Sequence, residues 1–234
     1  MKGAILSLEP GVNVVDLTHA VPAQDIVAGA YLLWTSVEVF PPGTIHVAVV
    51  DPGVGSPRLA VALRARRGDV FVGPDNGLLI PAVERLGGVE LAVELNRAEF
   101  WRPTASSTFH GRDIFGPAAA HLARGVALDE LGSPVSDLVQ LAFAKPEPNR
   151  GEVIHVDTYG NLVTNLPAAD LPPKFRVRLG WFSIPFVGFY AAVRPGHLLA
   201  LVGSSGLLEI SARDANAAKL TTAGRGTPVL LEPI

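Results

Sequence analysis

Apolar and polar positions in the first 132 residues switch between two periods. Val12–Asp16 is a short β-branched run, Gln24–Val37 spaces its apolar residues as a helix does, with an acid near its start at Asp25, and Thr44–Val50 is strand-like again. Val70–Val72, a helix near Leu78–Leu86, and Val89–Leu95 continue the series. Asp113–Leu122 places Ile114, Phe115, Ala118, Ala119 and Leu122 on one helical face. This repetition predicts an N-terminal layered α/β domain, residues 1–132, with a mainly parallel central sheet. In such a sheet the loops at the carboxyl ends of the strands carry the chemistry.

After Gly132 the pattern changes. Residues 133–150 contain Pro134, Pro146 and Pro148 with no strong period and read as a linker. From 151 to 234 the periodic segments are short: Glu152–Val156, Leu162–Asn165, Phe175–Leu179, Leu198–Val202 and Leu207–Ile210, separated by Gly, Pro and Asn turns. They predict a small C-terminal β domain, barrel-like or a sandwich, with no long helix.

Composition narrows the function classes. The chain has 234 residues, 48% hydrophobic and 18% charged, enough to bury a core and too apolar to be disordered. A formal net charge of -3 gives no electrostatic reason to expect nucleic acid or an anionic membrane as partner. No stretch approaches the ~18 apolar residues of a spanning helix and no signal pattern opens the chain, so a cytoplasmic protein is expected. With no cysteine, disulfides, thiolate nucleophiles and Cys-ligated metal centres are excluded.

Three polar islands interrupt this apolar chain: Asp51-Pro-Gly-Val-Gly-Ser-Pro-Arg58, Gly73-Pro-Asp-Asn-Gly77 and Ser107-Thr-Phe-His-Gly-Arg-Asp113. They offer a carboxylate, a guanidinium and an imidazole, Asp51, Arg58 and His110, a set able to hold and polarise water. Each also has a plainer role. Asp51 before Pro-Gly can cap a turn with Arg58 as its surface partner, His110 can be a hydrogen-bonded structural histidine, and Asp75-Asn76-Gly77 can be a tight turn. Arg112 and Asp113 read as an ion pair at a helix start. Gly53-Val-Gly55 begins like a dinucleotide fingerprint but has Arg58 where the third glycine belongs, and Gly203-Ser-Ser-Gly206 lacks nucleophile-elbow spacing. A cation beside Asp51 and His110 would be repelled by Arg58, so no metal is expected.

These islands, together with Asp157-Thr-Tyr-Gly-Asn-Leu-Val-Thr-Asn165 and Gly203-Ser-Ser-Gly-Leu-Leu-Glu-Ile210, resemble in order the S-adenosylmethionine hydrolase (adenosine-forming) family, relatives of the adenosylmethionine fluorinases and chlorinases. The resemblance spans nearly the whole chain. It implies an α/β domain followed by a β-barrel-like domain, and a homotrimer with sites between subunits. S-adenosylmethionine (SAM) is then the substrate, with no cofactor. It assigns water activation to Asp51, Arg58 and His110, with His110 either accepting the proton or orienting the water. Substrate contacts are implied for Gln24, Phe109, Asp157, Tyr159, Asn161, Ser204 and Ser205. Among these, Asp157, Tyr159 and Asn161 match positions that meet the methionine amino group and the adenine. Ser204 and Ser205 fall where halogenating relatives have Ser-Arg, the Arg holding the methionine carboxylate, so that recognition is expected to be weaker or arranged differently. Halogenases carry Tyr residues where this chain has Asp51 and His110, and Trp at Gln24, which favours water over halide. The family also opens with a strand and a Thr-Asp-Phe-Gly-like segment that grips the ribose. Met1-Lys-Gly-Ala-Ile-Leu matches the helix after it, so about one βα start is expected to be absent from this chain. The alternatives are a halogenase of the same fold and a non-catalytic nucleoside-binding trimer.

Overall fold

Asp25 accepts a hydrogen bond from Ala28 N at 3.0 Å and so starts a helix where the apolar period begins. In the computed structural model, which describes residues 1–234, two units divide between Ala142 and Phe143. In the first, α1 (Lys2–Leu8) and α2 (Ile26–Ser36) precede β1 (Ile45–Val47), β2 (Ala60–Ala65) and β3 (Val70–Pro74). Then come α3 (Ile80–Arg85), β4 (Val89–Glu94), a π-helical turn over Gly111–Phe115 running into α4 (Gly116–Ala123), and β5 (Ser133–Pro134). The sheet order is β1-β3-β2-β4-β5.

The sheet is mixed, not mainly parallel. β1 and β3 run parallel, while β2 is antiparallel to both β3 and β4, and β4 to β5. The cause is β2, a strand that the periodicity did not single out. Only the turn 66–69 separates it from β3, with Gly68 at φ +100, and parallel neighbours need a crossover of about a dozen residues or more. That turn is anchored by Asp69, fully buried, which accepts from Arg67 at 2.7 and 2.9 Å and faces His46 Nε2 at 3.3 Å. The core between sheet and α4 is built from Ala62, Val72, Val93, Ile114, Phe115, Ala118, Leu128 and Leu131. Each large side chain there contributes roughly 1.5–3 kcal/mol by leaving water.

Val12–Asp16 is not a strand. The run is extended but has no ladder, and Val15 is 58% exposed. β1 is the edge of the sheet, and a cavity of about 1180 Å³ is lined both by Val12–Leu17 and by Thr44–Val50. With no neighbouring strand to pair with, β-branched composition alone does not make one.

The second unit holds β6 (Arg150–Val156), β7 (Leu162–Pro167), β8 (Phe175–Leu179), β9 (Phe182–Pro185), β10 (Leu198–Val202) and β11 (Leu207–Ala212), then the short helix α5 (Ala217–Thr221) and β12 (Pro228–Pro233). They form one sheet in the order β10-β11-β7-β6-β12-β8-β9, each neighbouring pair antiparallel. Its two ends approach through the bridge Phe186↔Ala200, so the sheet nearly closes as a barrel around Val153, Leu162, Val177, Leu208, Ile210 and Val229. β9 and β12 escaped the sequence pattern because a proline sits at an end of each. The division between units falls inside residues 133–150. Within the first unit, the backbone N of Val139 donates to Asp75 at 2.9 Å.

Candidate active site

The segment leaving β1 ends in Asp51 and turns sharply, with Val54 N bonded to Asp51 O at 3.3 Å and Ser56 N to Gly53 O at 3.0 Å. The turn returns Arg58 beneath Asp51. The guanidinium takes both carboxylate oxygens, Nε to Oδ1 at 3.0 Å and Nη2 to Oδ2, and the side chains are only 11% and 6% exposed. Nη1 donates to Leu59 O at 3.2 Å, and the ring of Phe115 lies 5.4 Å from the guanidinium carbon. Nη2 also meets His110 Nδ1 at 2.8 Å. The structure thus brings Asp51, Arg58 and His110 into direct contact.

Two close approaches hold the loops together. Gly55 has φ +78, and a Cβ there would stand 2.7 Å from Ser107 O, on the segment leading to His110. Asn76 donates from Nδ2 to Val50 O at 2.8 Å while its Oδ1 accepts from Leu78 N at 3.2 Å. The island Gly73–Gly77 therefore works as scaffold beneath Asp51, and Asp75 as the buried acceptor for Val139 N. Burial pushes the Asp75 carboxyl above the usual carboxylate range.

Burial lowers the pKa of His110, and the adjacent Arg58 cation lowers it further, against the opposing pull of Asp51 and Asp113. Because Arg58 can only donate, His110 Nδ1 accepts, and a neutral ring carries its proton on Nε2. His110, Asp51, Phe109 and Thr108 line a cleft of about 360 Å³. Phe109 is 60% exposed, with the Arg112 guanidinium 5.1 Å from its ring. Gln24, held at φ +66, lines the larger cavity of the first unit together with Asp51 and Pro52.

In the second unit, Asp157 closes its loop on itself. Oδ1 accepts from Tyr159 N at 2.9 Å and Asn161 N at 2.8 Å, and Oδ2 from Asn161 Nδ2 at 2.9 Å. Gly160 packs against Asn216, the cap of α5, and leaves no room for a side chain. Asn161 is buried and Tyr159 is exposed. Ser204 and Ser205 occupy the turn Gly203–Gly206, closed by Gly206 N to Gly203 O at 3.0 Å. Beside it Glu209 accepts from Tyr190 Oη and Ser211 Oγ, both at 2.7 Å. The sequence leaves the Asp75-Asn76-Gly77 island open between scaffold and site, and Asn76 serves as scaffold; Phe115 is not expected as a site support. Phe115 is read as core from its helical face, and only the fold puts that ring under Arg58.

The chain matches the SAM hydroxide adenosyltransferase N-terminal domain over residues 1–132 and the C-terminal domain of the same family over residues 151–230. It belongs to the SAM hydroxide adenosyltransferase family. A relative in Salinispora tropica named (R)-S-adenosyl-L-methionine hydrolase is 41% identical, over 93% of this chain and 85% of its own. A fluorinase of an Actinoplanes species is 31% identical over 73% of this chain and 67% of its own. The crystal structure of a conserved protein from Thermotoga maritima superposes with a TM-score of 0.91 at 34% identity, covering 99% of this chain and 93% of that one. Asp51, Arg58 and His110 are the part of the candidate site whose geometry is explicit. No helix of the chain is long and apolar enough to cross a membrane.

Proposed function

We propose that this protein hydrolyses S-adenosyl-L-methionine to adenosine and L-methionine by attack of water or hydroxide on C5′. The carrying observation is the contact set Asp51–Arg58–His110 on a cleft, in a chain 41% identical to a protein named for this activity. The new O–C5′ bond forms in line as the C5′–S bond breaks, and the electron pair leaves with sulfur as a neutral thioether. No acid is needed for that departure. What is needed is a nucleophile freed of its proton.

The acceptor role of His110 Nδ1 toward Arg58 supports orienting the nucleophile over taking its proton. The remaining N–H of the ring donates to the oxygen, the proton is lost to solvent before attack, and the cationic Arg58 favours the hydroxide. Merging an anion with a sulfonium lets the two charges cancel as the bond forms. Asp51, doubly held by Arg58, fixes that guanidinium, and its remaining lone pairs favour a nucleophile with an O–H to donate, which water and hydroxide have and a halide lacks. The Asp157–Asn161 loop, Ser204 and Ser205 are assigned to the adenine and methionine ends, and Gln24 and Phe109 to the nucleoside. The proposal includes a cytoplasmic homotrimer without cofactor or metal, its sites completed by neighbouring subunits. A monomer by light scattering would overturn that part.

The deciding experiment supplies SAM and excess chloride or fluoride in ¹⁸O-labelled water. Adenosine labelled at its 5′ oxygen is the expected product. A 5′-halogenated nucleoside would make the protein a halogenase, and tight binding without turnover would make it a nucleoside-binding protein.

A further inference from the structure

The π-helical turn before α4 contains a buried charge that the water-activating set does not use. Asp113 is fully buried and its carboxylate is saturated. Arg112 holds both oxygens at 2.7 and 2.8 Å, Ser106 N donates to Oδ2 at 2.9 Å, and Arg102 Nη1 reaches Oδ1 at 3.4 Å. The backbone adds Arg102 N to Asp113 O at 2.9 Å. One side chain therefore pins both ends of the arm 102–113, and His110 rides on that arm.

The geometry of the turn explains why such a pin is needed. A π-helical turn is less favourable than continued α-helix, and an isolated one frequently marks a functional position. Here it starts directly after His110 and ends at Phe115, whose ring lies under Arg58. Inside the arm, Ser106 Oγ accepts from Thr108 N at 3.2 Å, passing the constraint from the Asp113 contact toward Phe109 and His110. The Arg112 and Ser106 contacts are short and fall on a fully buried carboxylate, while the Arg102 contact, at 3.4 Å, is longer and weaker. A plain ion pair at a helix start requires only Arg112, whereas Asp113 also gathers Ser106 and Arg102 from the far side of the arm.

We propose that Asp113 is a positioning residue of the site, setting the His110 ring against Arg58 by clasping the arm that carries it. The role rests on the reading of His110 as the group that orients the nucleophile. Its test therefore begins with a measurement that needs no substrate. In wild-type protein with ¹⁵N-labelled histidine, His110 Nδ1 gives the shift of a hydrogen-bonded acceptor. In Asp113→Asn, which keeps the shape but drops the charge, that signal moves or splits between tautomers, while His46 and His121 keep their shifts. The same variant lowers kcat by about 10- to 100-fold with KM within about two-fold, the size expected when a reacting group is misplaced by around an ångström. In a His110→Ala background Asp113→Asn costs little more. Should Asp113→Asn fail to fold, Arg102→Ala, which removes a half-exposed partner, shows the same changes in smaller size. Unchanged His110 shifts in whichever of these variants folds, with only a lower melting temperature, would overturn the proposal. Shifted His110 signals in a protein that never turns over SAM would leave the clasp standing and remove the hydrolase reading instead.

Discussion

Replacing Arg58 by lysine tests the site at its most connected atom. The guanidinium makes two bonds to Asp51, one to His110 Nδ1 and one to Leu59 O. A lysine ammonium keeps the charge but is a point donor that cannot span two carboxylate oxygens and an imidazole together. At least two charge-assisted contacts are lost, each worth about 1.5–3 kcal/mol, and part of that loss is recovered by water because the site opens on a cleft. The part falling on the His110 contact acts on the nucleophile. Losing about 2.7 kcal/mol of transition-state stabilisation lowers kcat by ~10²-fold. The folded state should lose less than the roughly 3–5 kcal/mol typical of a buried pair broken outright, since Lys still answers the Asp51 charge. Chromatographic measurement of adenosine release, paired with a thermal melt, separates the two effects. Wild-type kcat in Arg58→Lys would show that the three-way contact has no part in the reaction. A fall in kcat that merely tracks the unfolded fraction would show that it serves stability alone.

The remaining expectations concern pH and the loop contacts. His46 and His110 both have lowered pKa values, with burial the first cause, so the unfolded chain takes up protons near pH 6.5 that the folded chain refuses. Stability should therefore fall as pH drops below about 6.5, and kcat should fall with pH as well, because the attacking water must first lose its proton to solvent; a kcat that rises as pH falls would contradict a nucleophile deprotonated before attack. Asp75 has the opposite shift, raised by burial, so the wild type loses stability as pH climbs through the folded pKa. Asp75→Asn should melt higher than wild type at pH 7 and no higher at pH 4, and equal melting temperatures at both would refute the assignment. Gly55→Ala forces a Cβ against Ser107 O at 2.7 Å from a backbone with φ +78, and should cost about 1 kcal/mol or more of stability together with a kcat loss larger than its effect on KM. An alanine variant with native kinetics would mean that the two loops are not held in register by that contact.

What the sequence reveals divides along physical lines. Helices with a clear apolar face and a cap, such as Ile26–Ser36 behind Asp25, are legible because cap and period are both local. Phe175–Leu179 is legible because Phe, Val and Leu alternate with arginines, and Leu198–Val202 because turn residues bound a short apolar run. Val12–Asp16 shows the limit: strand composition is local, but a ladder needs a neighbour, and none lies beside it. The antiparallel course of Ala60–Ala65 was hidden because a buried strand with no polar alternation gives no period to detect. In the site, Asp51, Arg58 and His110 are legible as residue types and through the family resemblance. Their mutual order is not, because the tautomer of His110 depends on a guanidinium 52 positions away in the chain. The supporting roles of Asn76 and Phe115 belong to the same category of tertiary accidents.

The Asp157–Asn161 loop spends its polar capacity on itself, and Gly160 locks it to the start of α5. On the proposed assignment of this loop to the substrate, a segment already frozen loses almost no conformational freedom when the guest arrives, so capture draws on contact free energy with little ordering cost. Tyr159, at 78% exposure, is the loop's exposed aromatic side chain and, on the proposed assignment, the large group there that can adjust to the guest's shape. Evolution can therefore retune what this edge accepts by changing one aromatic side chain, while substitutions at Asp157 or Gly160 would first dismantle the frame.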